Sequence, residues 1–394
     1  MPSRSVIIAV FSTLALGASV AILIAGPLDP PAGAVSSTYK TLTEVEPRTV
    51  INATNTPGDA DSLYKITQPG SYYLNGNITG VINKHGIEIA ASGVTIDLSG
   101  FELVGVRGTE TSHGIVATGT GLHNVVVRNG VVREWGGAGV NLSPTIVSGG
   151  EVVDIRAVDN VNSGIFVHSY FRVAGCTASG NGGSGIWAVN SSLIENCQTF
   201  SNQGGGILCS SGHTVLNCVS YGNGATGILC SDAGTITGCS SYNNDGVGIS
   251  AGAGSTVTGC TVRSNDLDGI VASSASSILN NTCSNNGTAA ASGAGILVTG
   301  AANRIEGNHC STNDRGIDIN GSRNRIDANS CIDNGVSFDI SGADNIVIRN
   351  TATGGSPNYS IAAGNSVAPR VSVADSDGWA SISNANHPWA NFGH

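Results

Sequence analysis

Gly185-Ile186-Trp187-Ala188-Val189-Asn190-Ser191-Ser192-Leu193-Ile194-Glu195-Asn196-Cys197-Gln198-Thr199-Phe200-Ser201-Asn202-Gln203-Gly204-Gly205 is one period of a 21-residue repeat, and the next period opens at Gly206-Ile207. Ile186 and Ala188 alternate with Trp187, which is strand periodicity. A turn at 190–192 leads to a second short strand, Leu193-Ile194-Glu195. Asn196 breaks it, and Asn or Gly recurs there as Asn217, Gly238 and Gly259. Those residue types tolerate left-handed backbone angles. Residues 197–200 form a third strand, and Asn202–Gly204 turns back to the next Gly-Ile. Three strands and three turns in 21 residues do not make a hairpin sheet; they make one turn of a triangular coil.

The repeat stands on three columns in one register. Gly164-Ile165 recurs at 185, 206, 227, 248 and 269, then at Gly295-Ile296 after an insertion of five, and at Gly316-Ile317. Asn160, Asn181, Asn202, Asn223, Asn244, Asn265 and Asn286 step by 21, continued by Asn313 and Asn334. Cys176, Cys197, Cys218, Cys239 and Cys260 do the same. Stacking each strand on its equivalent in the next coil, about 4.8 Å away, brings like side chains together. The expected fold is all-β: a single-stranded right-handed parallel β-helix of about 12 coils with three short strands each, roughly 55 Å long. Isoleucines fill it, and asparagine amides bond to one another at the turns. The cysteines read as small apolar core residues, with Cys209–Cys230 the first pair in which to seek a disulfide.

Outside 160–350 the pattern loosens. Gly86-Ile87, Gly114-Ile115 and Gly139-Val140 repeat at wider spacing. Residues 35–85 read as an N-terminal cap, 86–357 as the helix, and 358–394 as a C-terminal capping tail whose Trp379 and Trp389 pack across the last coil or onto a partner chain. Residues 1–34 read as an export signal: Arg4, an apolar run from Val6 to Ala25, then Ala32-Gly33-Ala34. The run is also about as long as a membrane span, so an uncleaved anchor is the alternative. The expected location is secreted or cell-surface.

Composition narrows the function classes. The net charge is −10, and the three lysines all precede residue 85. Nucleic-acid binding needs clustered cations and is excluded as a reading. An anionic polysaccharide would need a local basic patch.

The Gly-Ile strand, the I-x-x-N turn (Ile305–Asn308, Ile326–Asn329) and the link from the ladder Asn to the next Gly resemble the pectate-lyase-like β-helix repeat over about residues 86–350. The opening segment, Ile66-Thr67-Gln68-Pro69-Gly70-Ser71-Tyr72-Tyr73 before His85-Gly86-Ile87, is similar to exported bacterial β-helix proteins. The resemblance implies the fold, and a scaffold that serves lyases, hydrolases, epimerases, adhesins and tailspikes alike. Polygalacturonase-type N-T-D, D-D, G-H-G and R-I-K motifs and the pectate-lyase W-I-D-H motif are absent. Arg325-Ile326-Asp327 differs at its third residue, and no lysine lies in the regular repeat. No catalytic residue carries over.

The outer faces supply the candidates. The outward column of the first strand reads Glu88, Val116, Asn141, Phe166, Trp187, Leu208, Leu229, Ser250, Val271, Leu297, Asp318, Asp339. Asp318 and Asp339, with Arg315 in the turn, are the catalytic candidates. Carboxylates about 5 Å apart suit a retaining glycosidase pair or calcium ligands, and calcium is the only cofactor considered. The competing reading is an ion-pair network in a charged region: residues 301–350 hold twelve charged side chains against seven in 164–300. Phe166 and Trp187 stack in the first column, with His168 beside them. Phe200, Tyr221, Tyr242 and then Arg263 stack on the third strand. Flat exposed rings suit sugar stacking or an interface. No histidine set has metal-ligand spacing. Two functions remain open: a polysaccharide-contacting protein, by binding or by lyase or hydrolase action, and a structural or surface protein assembled as a homotrimer.

Overall fold

The computed structural model describes residues 46–107, 111–143, 148–287, 293–372 and 386–393. The export segment and Trp379 lie outside these residues. The unit Arg48–His394 carries one continuous parallel sheet wound into a solenoid of about fifteen turns, and no helix occurs among the described residues.

One coil shows the plan. Ile186–Asn190 pairs with Ile207–Ser211, Leu193–Glu195 with Thr214–Leu216, and Gln198–Phe200 with Val219–Tyr221, each 21 residues on. Ile165, Ile186, Ile207, Ile228, Ile249 and Ile270 are fully buried in one column, each contributing on the order of 2 kcal/mol of hydrophobic stabilisation. Asn196, Asn217, Gly238 and Gly259 all take positive φ, 51–64°, at the corner between second and third strands.

The Gly and Asn columns depend on each other. From Asn160 to Asn334 each amide Nδ2 donates to the Oδ1 of the next asparagine at 2.8–3.1 Å. That amide lies against the glycine that opens its own coil. A Cβ on Gly185 would stand 2.8 Å from Asn202 Nδ2, and one on Gly248 2.6 Å from Asn265 Nδ2. Glycine before the isoleucine is therefore the space the ladder occupies. The position holds Ser337 one coil after Gly316, where the ladder has ended. In the wider early coils Trp135 is fully buried and takes the same space: a Cβ on Gly86 would meet its ring at 2.9 Å.

All ten cysteines are buried free thiols, including Cys209 and Cys230, which are paired neighbours in the ladder. Cys197 Sγ donates to the Glu195 carbonyl at 3.3 Å, and the other members of its column bond alike.

The ladder runs further than the repeat at both ends, which raises the coil number from about twelve. Thr49–Val50 pairs with Tyr72–Tyr73, and Ser62–Ile66 with His85–Ile89, within the segment read as a cap. At the other end the tail folds back. Asn391–Gly393 enters as a strand between Thr351–Thr353 and Arg370–Ser372. Tyr359 stacks on buried Phe338, and its hydroxyl sits 3.0 and 2.8 Å from the carbonyl oxygens of Asn350 and Phe392, which share its one proton, closing the interior. Trp389 stays exposed, with the Arg349 guanidinium 5.2 Å from its ring centre.

Candidate functional site

Every pairing in the outward first-strand column, from Glu88 to Asp339, is in the expected register. Its N-terminal members are nonetheless covered. Glu88 is buried under Lys65, Ser62 and Thr118, with Lys65 Nζ 2.7 Å from its carboxylate. Exposure begins at the aromatic pair.

Phe166 and Trp187 are stacked with ring centres 4.3 Å apart and planes within 8°. Trp187 is 38% exposed. The pair holds this form because parallel, in-register strands place equivalent residues side by side. His168 follows on the same outward side, 2.9 Å from the Ser169 hydroxyl through Nδ1. On the third face Phe200, Tyr221 and Tyr242 stack at 5.1 and 5.0 Å, and Arg263 lies 4.7 Å over the last ring. The two stacks flank the turn that carries the asparagine ladder.

Asp318 and Asp339 are register partners, and Arg315 bonds both. Its Nη1 is 3.3 Å from Asp318 Oδ2, and its Nε is 2.9 Å from Asp339 Oδ2. The Asp318 side chain is 8% exposed. Burial pushes its carboxyl up to about 6, against the pull of Arg315 and helped by the charges of Asp339 and Asp268. Asp268 was not legible as a member of this group. It precedes Gly269-Ile270 as Arg315 precedes Gly316-Ile317, a positional signal that the five-residue insertion between them hides. Its Oδ1 accepts the Ala294 N–H at 2.7 Å, and burial raises its pKa as well. The guanidinium fills the place between Asp318 and Asp339 where calcium would stand. No group of three or more His, Cys, Asp or Glu among the described residues is arranged to hold a metal. The ion-pair reading describes much of this region: Arg304 pairs with Glu306 at 2.6 Å, and Arg325 with Asp327 at 2.8 Å.

The two candidates are not one site. Six coil steps separate Trp187 from Asp318, roughly 29 Å at about 4.8 Å per step. Between them the face is lined by Leu208, Leu229, Ser250, Val271 and Leu297.

No curated protein sequence matches this chain. Among solved structures, the A-module of the Azotobacter vinelandii mannuronan C-5 epimerase AlgE4 is 17% identical with a TM-score of 0.47, over 70% of this chain and 90% of that one. The Dettilon tailspike protein is 14% identical with a TM-score of 0.43, over 78% and 60%. DFA-IIIase from Arthrobacter chlorophenolicus, without its lid, is 14% identical with a TM-score of 0.40, over 76% and 87%. The profile of the family described as right handed beta helix region matches residues 75–237, 194–314 and 231–375. With most of its length covered by that profile and its coils stacked in parallel register throughout, this chain belongs to the right-handed β-helix family.

Proposed function

We propose that this protein binds polysaccharide along the outer faces of its first and third strands. The observation that carries the reading is the Phe166–Trp187 stack, a flat aromatic surface with its tryptophan open to solvent, followed along the face by the short or aliphatic side chains Leu208, Leu229, Ser250, Val271 and Leu297. Sugar rings present an apolar C–H face to such surfaces. The parallel row Phe200–Tyr221–Tyr242, ending in Arg263, adds a second rail across one turn. An exported location, read from residues 1–34, suits a polymer outside the cell.

A hydrolase reading would make Asp318 the acid and Asp339 the nucleophile. The geometry favours binding over turnover, because Arg315 already engages both carboxylates and Asp318 is buried beneath it. Affinity electrophoresis through gels carrying neutral or uronate polysaccharides tests the proposal. Retarded migration that Trp187→Ala relieves is the expected result, and unretarded migration in every gel overturns it. Release of reducing ends or unsaturated products, abolished by Asp318→Asn, would instead establish an enzyme.

A further inference from the structure

The corner between the first and second strands carries a feature that neither candidate uses. Each coil turns there through one residue of positive φ. Asn124, Gly149, Ser191, Gly212, Ala233 and Gly254 hold the place around Tyr170, whose own φ is 62°. Glycine, asparagine and small residues take this conformation at modest cost, whereas a bulky aromatic there is an outlier. Tyr170 is 66% exposed, so core packing does not compensate the strain. No described residue bonds its hydroxyl. Strain held without a structural return is characteristic of ligand sites.

The surroundings fit that reading. Tyr170 stands at a groove of about 470 Å³ lined by Asn124, Val126, Glu151, Arg172 and Leu193, a size usual for small-ligand sites. Gly150 lines it from the preceding coil, where a Cβ would meet the Phe171 ring at 2.8 Å. Val126 and Leu193 supply apolar floor. Arg172 is held between Glu151 at 3.5 Å and Glu195 at 2.7 Å, which fixes donors and acceptors beside the ring. Two carboxylates against one guanidinium disfavour an anionic sugar. The strand Ile165–Ala174 also links the places, since Phe166, His168, Tyr170 and Arg172 are its successive outward positions.

We infer that the Tyr170 groove is a separate saccharide subsite that takes a neutral hexose unit, its C–H face on the tyrosine ring and its hydroxyls on Glu151 and Arg172. The inference rests on the polysaccharide reading above and adds a location and a sugar class to it.

Titration calorimetry with hexasaccharides of glucose, mannose and galactose, beside hexagalacturonate, tests it together with thermal melting. The native chain is expected to bind at least one neutral hexasaccharide in preference to the uronate. Tyr170→Gly should weaken that binding about tenfold while leaving the melting temperature equal or higher, because glycine relieves the strained backbone. Ala233→Gly, which eases the same corner three coils away without removing a ring, should leave affinity unchanged. Unaltered affinity in Tyr170→Gly, a lowered melting temperature in that variant, or preference for the uronate each overturns the subsite. Retardation in polysaccharide gels that depends on Trp187, without binding of any neutral hexasaccharide, removes the subsite and leaves the broader function standing. Absence of both kinds of binding removes the two together.

Discussion

Asn281 occupies the corner position one coil after Cys260, and its side-chain oxygen accepts the Cys260 backbone N–H at 2.9 Å. The column changes there from thiol to amide. Before it, cysteine thiols donate to nearby carbonyls; beyond it, Asn281, Asn308, Asn329 and Asn350 bond Nδ2 to Oδ1 at 2.9–3.0 Å up to Asn329–Asn350, and Asn350 passes the chain to Asn391 at 3.1 Å. One corner is thus satisfied in two ways. The cysteines serve packing and weak hydrogen bonding, and desolvation by burial holds the Cys209 thiol well above its ordinary range. A thiol reagent should therefore label none of the ten cysteines in native buffer and all ten in denaturant without reductant. A denatured count two short of ten would reveal a disulfide, with Cys209–Cys230 the first pair to map.

Asp318 makes stability depend on pH in a direction opposite to that of the salt-bridged carboxylates. Its folded pKa, about 6, lies above its ordinary 3.8. The folded state thus favours the protonated form. The stabilisation is complete below about pH 4 and is lost as pH rises through about 6. A shift of this size corresponds to on the order of 2–3 kcal/mol. Asp318→Asn should remove this dependence. The variant should match the native chain near pH 4 and exceed it in melting temperature at pH 8. A native chain more stable than Asp318→Asn at pH 8 would show that the Arg315 contact outweighs the burial.

The C-terminal strand is expected to be part of the fold's stability. Asn391 accepts the Asn350 amide and donates its own to Val347 O and Ala368 O at 3.0 and 3.2 Å. Asn391→Ala leaves the buried Asn350 backbone N–H without its acceptor and removes the bonds to Val347 O and Ala368 O, at a cost of about 2 kcal/mol. Deletion of residues 386–394 should cost more and promote self-association, because the third-face strand Thr351–Thr353 becomes an open edge. Urea unfolding and sedimentation measure the two effects. Equal midpoints for the native chain and Asn391→Ala would refute the ladder's role at this end.

The sequence made the regular coils legible because a 21-residue step sets strand register directly. A slip of one residue would have turned Trp187 inward and Ile186 outward. The same reading found the aromatic rows and the Asp318–Asp339 pair, since those follow from column position alone. It undercounted the coils because Thr49–Val50 and Asn391–Gly393 join through backbone hydrogen bonds, which need no Gly-Ile signature. It missed Asp268 because the insertion at 288–292 breaks the count between that residue and Arg315. Tyr170 was silent for a different reason. Nothing in the residue type indicates that the chain there takes a left-handed turn, and the neighbouring coils fill that place with small or polar residues.

Asp327 is the most consequential charge in the molecule's late coils. It is 1% exposed, and two arginines converge on it. Arg349 Nε and Nη2 reach Oδ1 and Oδ2 at 2.7 and 2.5 Å, and Arg325 Nε and Nη2 reach Oδ2 at 3.1 and 2.8 Å. Despite the burial, these bonds hold its carboxyl below the usual range. Asp327→Asn exchanges these charge-assisted bonds for neutral ones, and because the Arg325 and Arg349 side chains are 42% and 41% exposed and can turn to water, it should cost roughly 1.5–3 kcal/mol. The contact also reaches the tail, because the Arg349 guanidinium that grips Asp327 lies over the Trp389 ring. Freeing it should alter the tryptophan emission before the coils unfold. Asp327→Asn is therefore expected to show an early fluorescence transition that the native chain lacks. Arg349→Met, which keeps an apolar stem near the ring and leaves Arg325 on Asp327, should show the early transition with a smaller loss of stability. Equal stability of the native chain and Asp327→Asn would mean that the triad's desolvation cancels its attraction, and the late coils would then owe their order to the ladder alone.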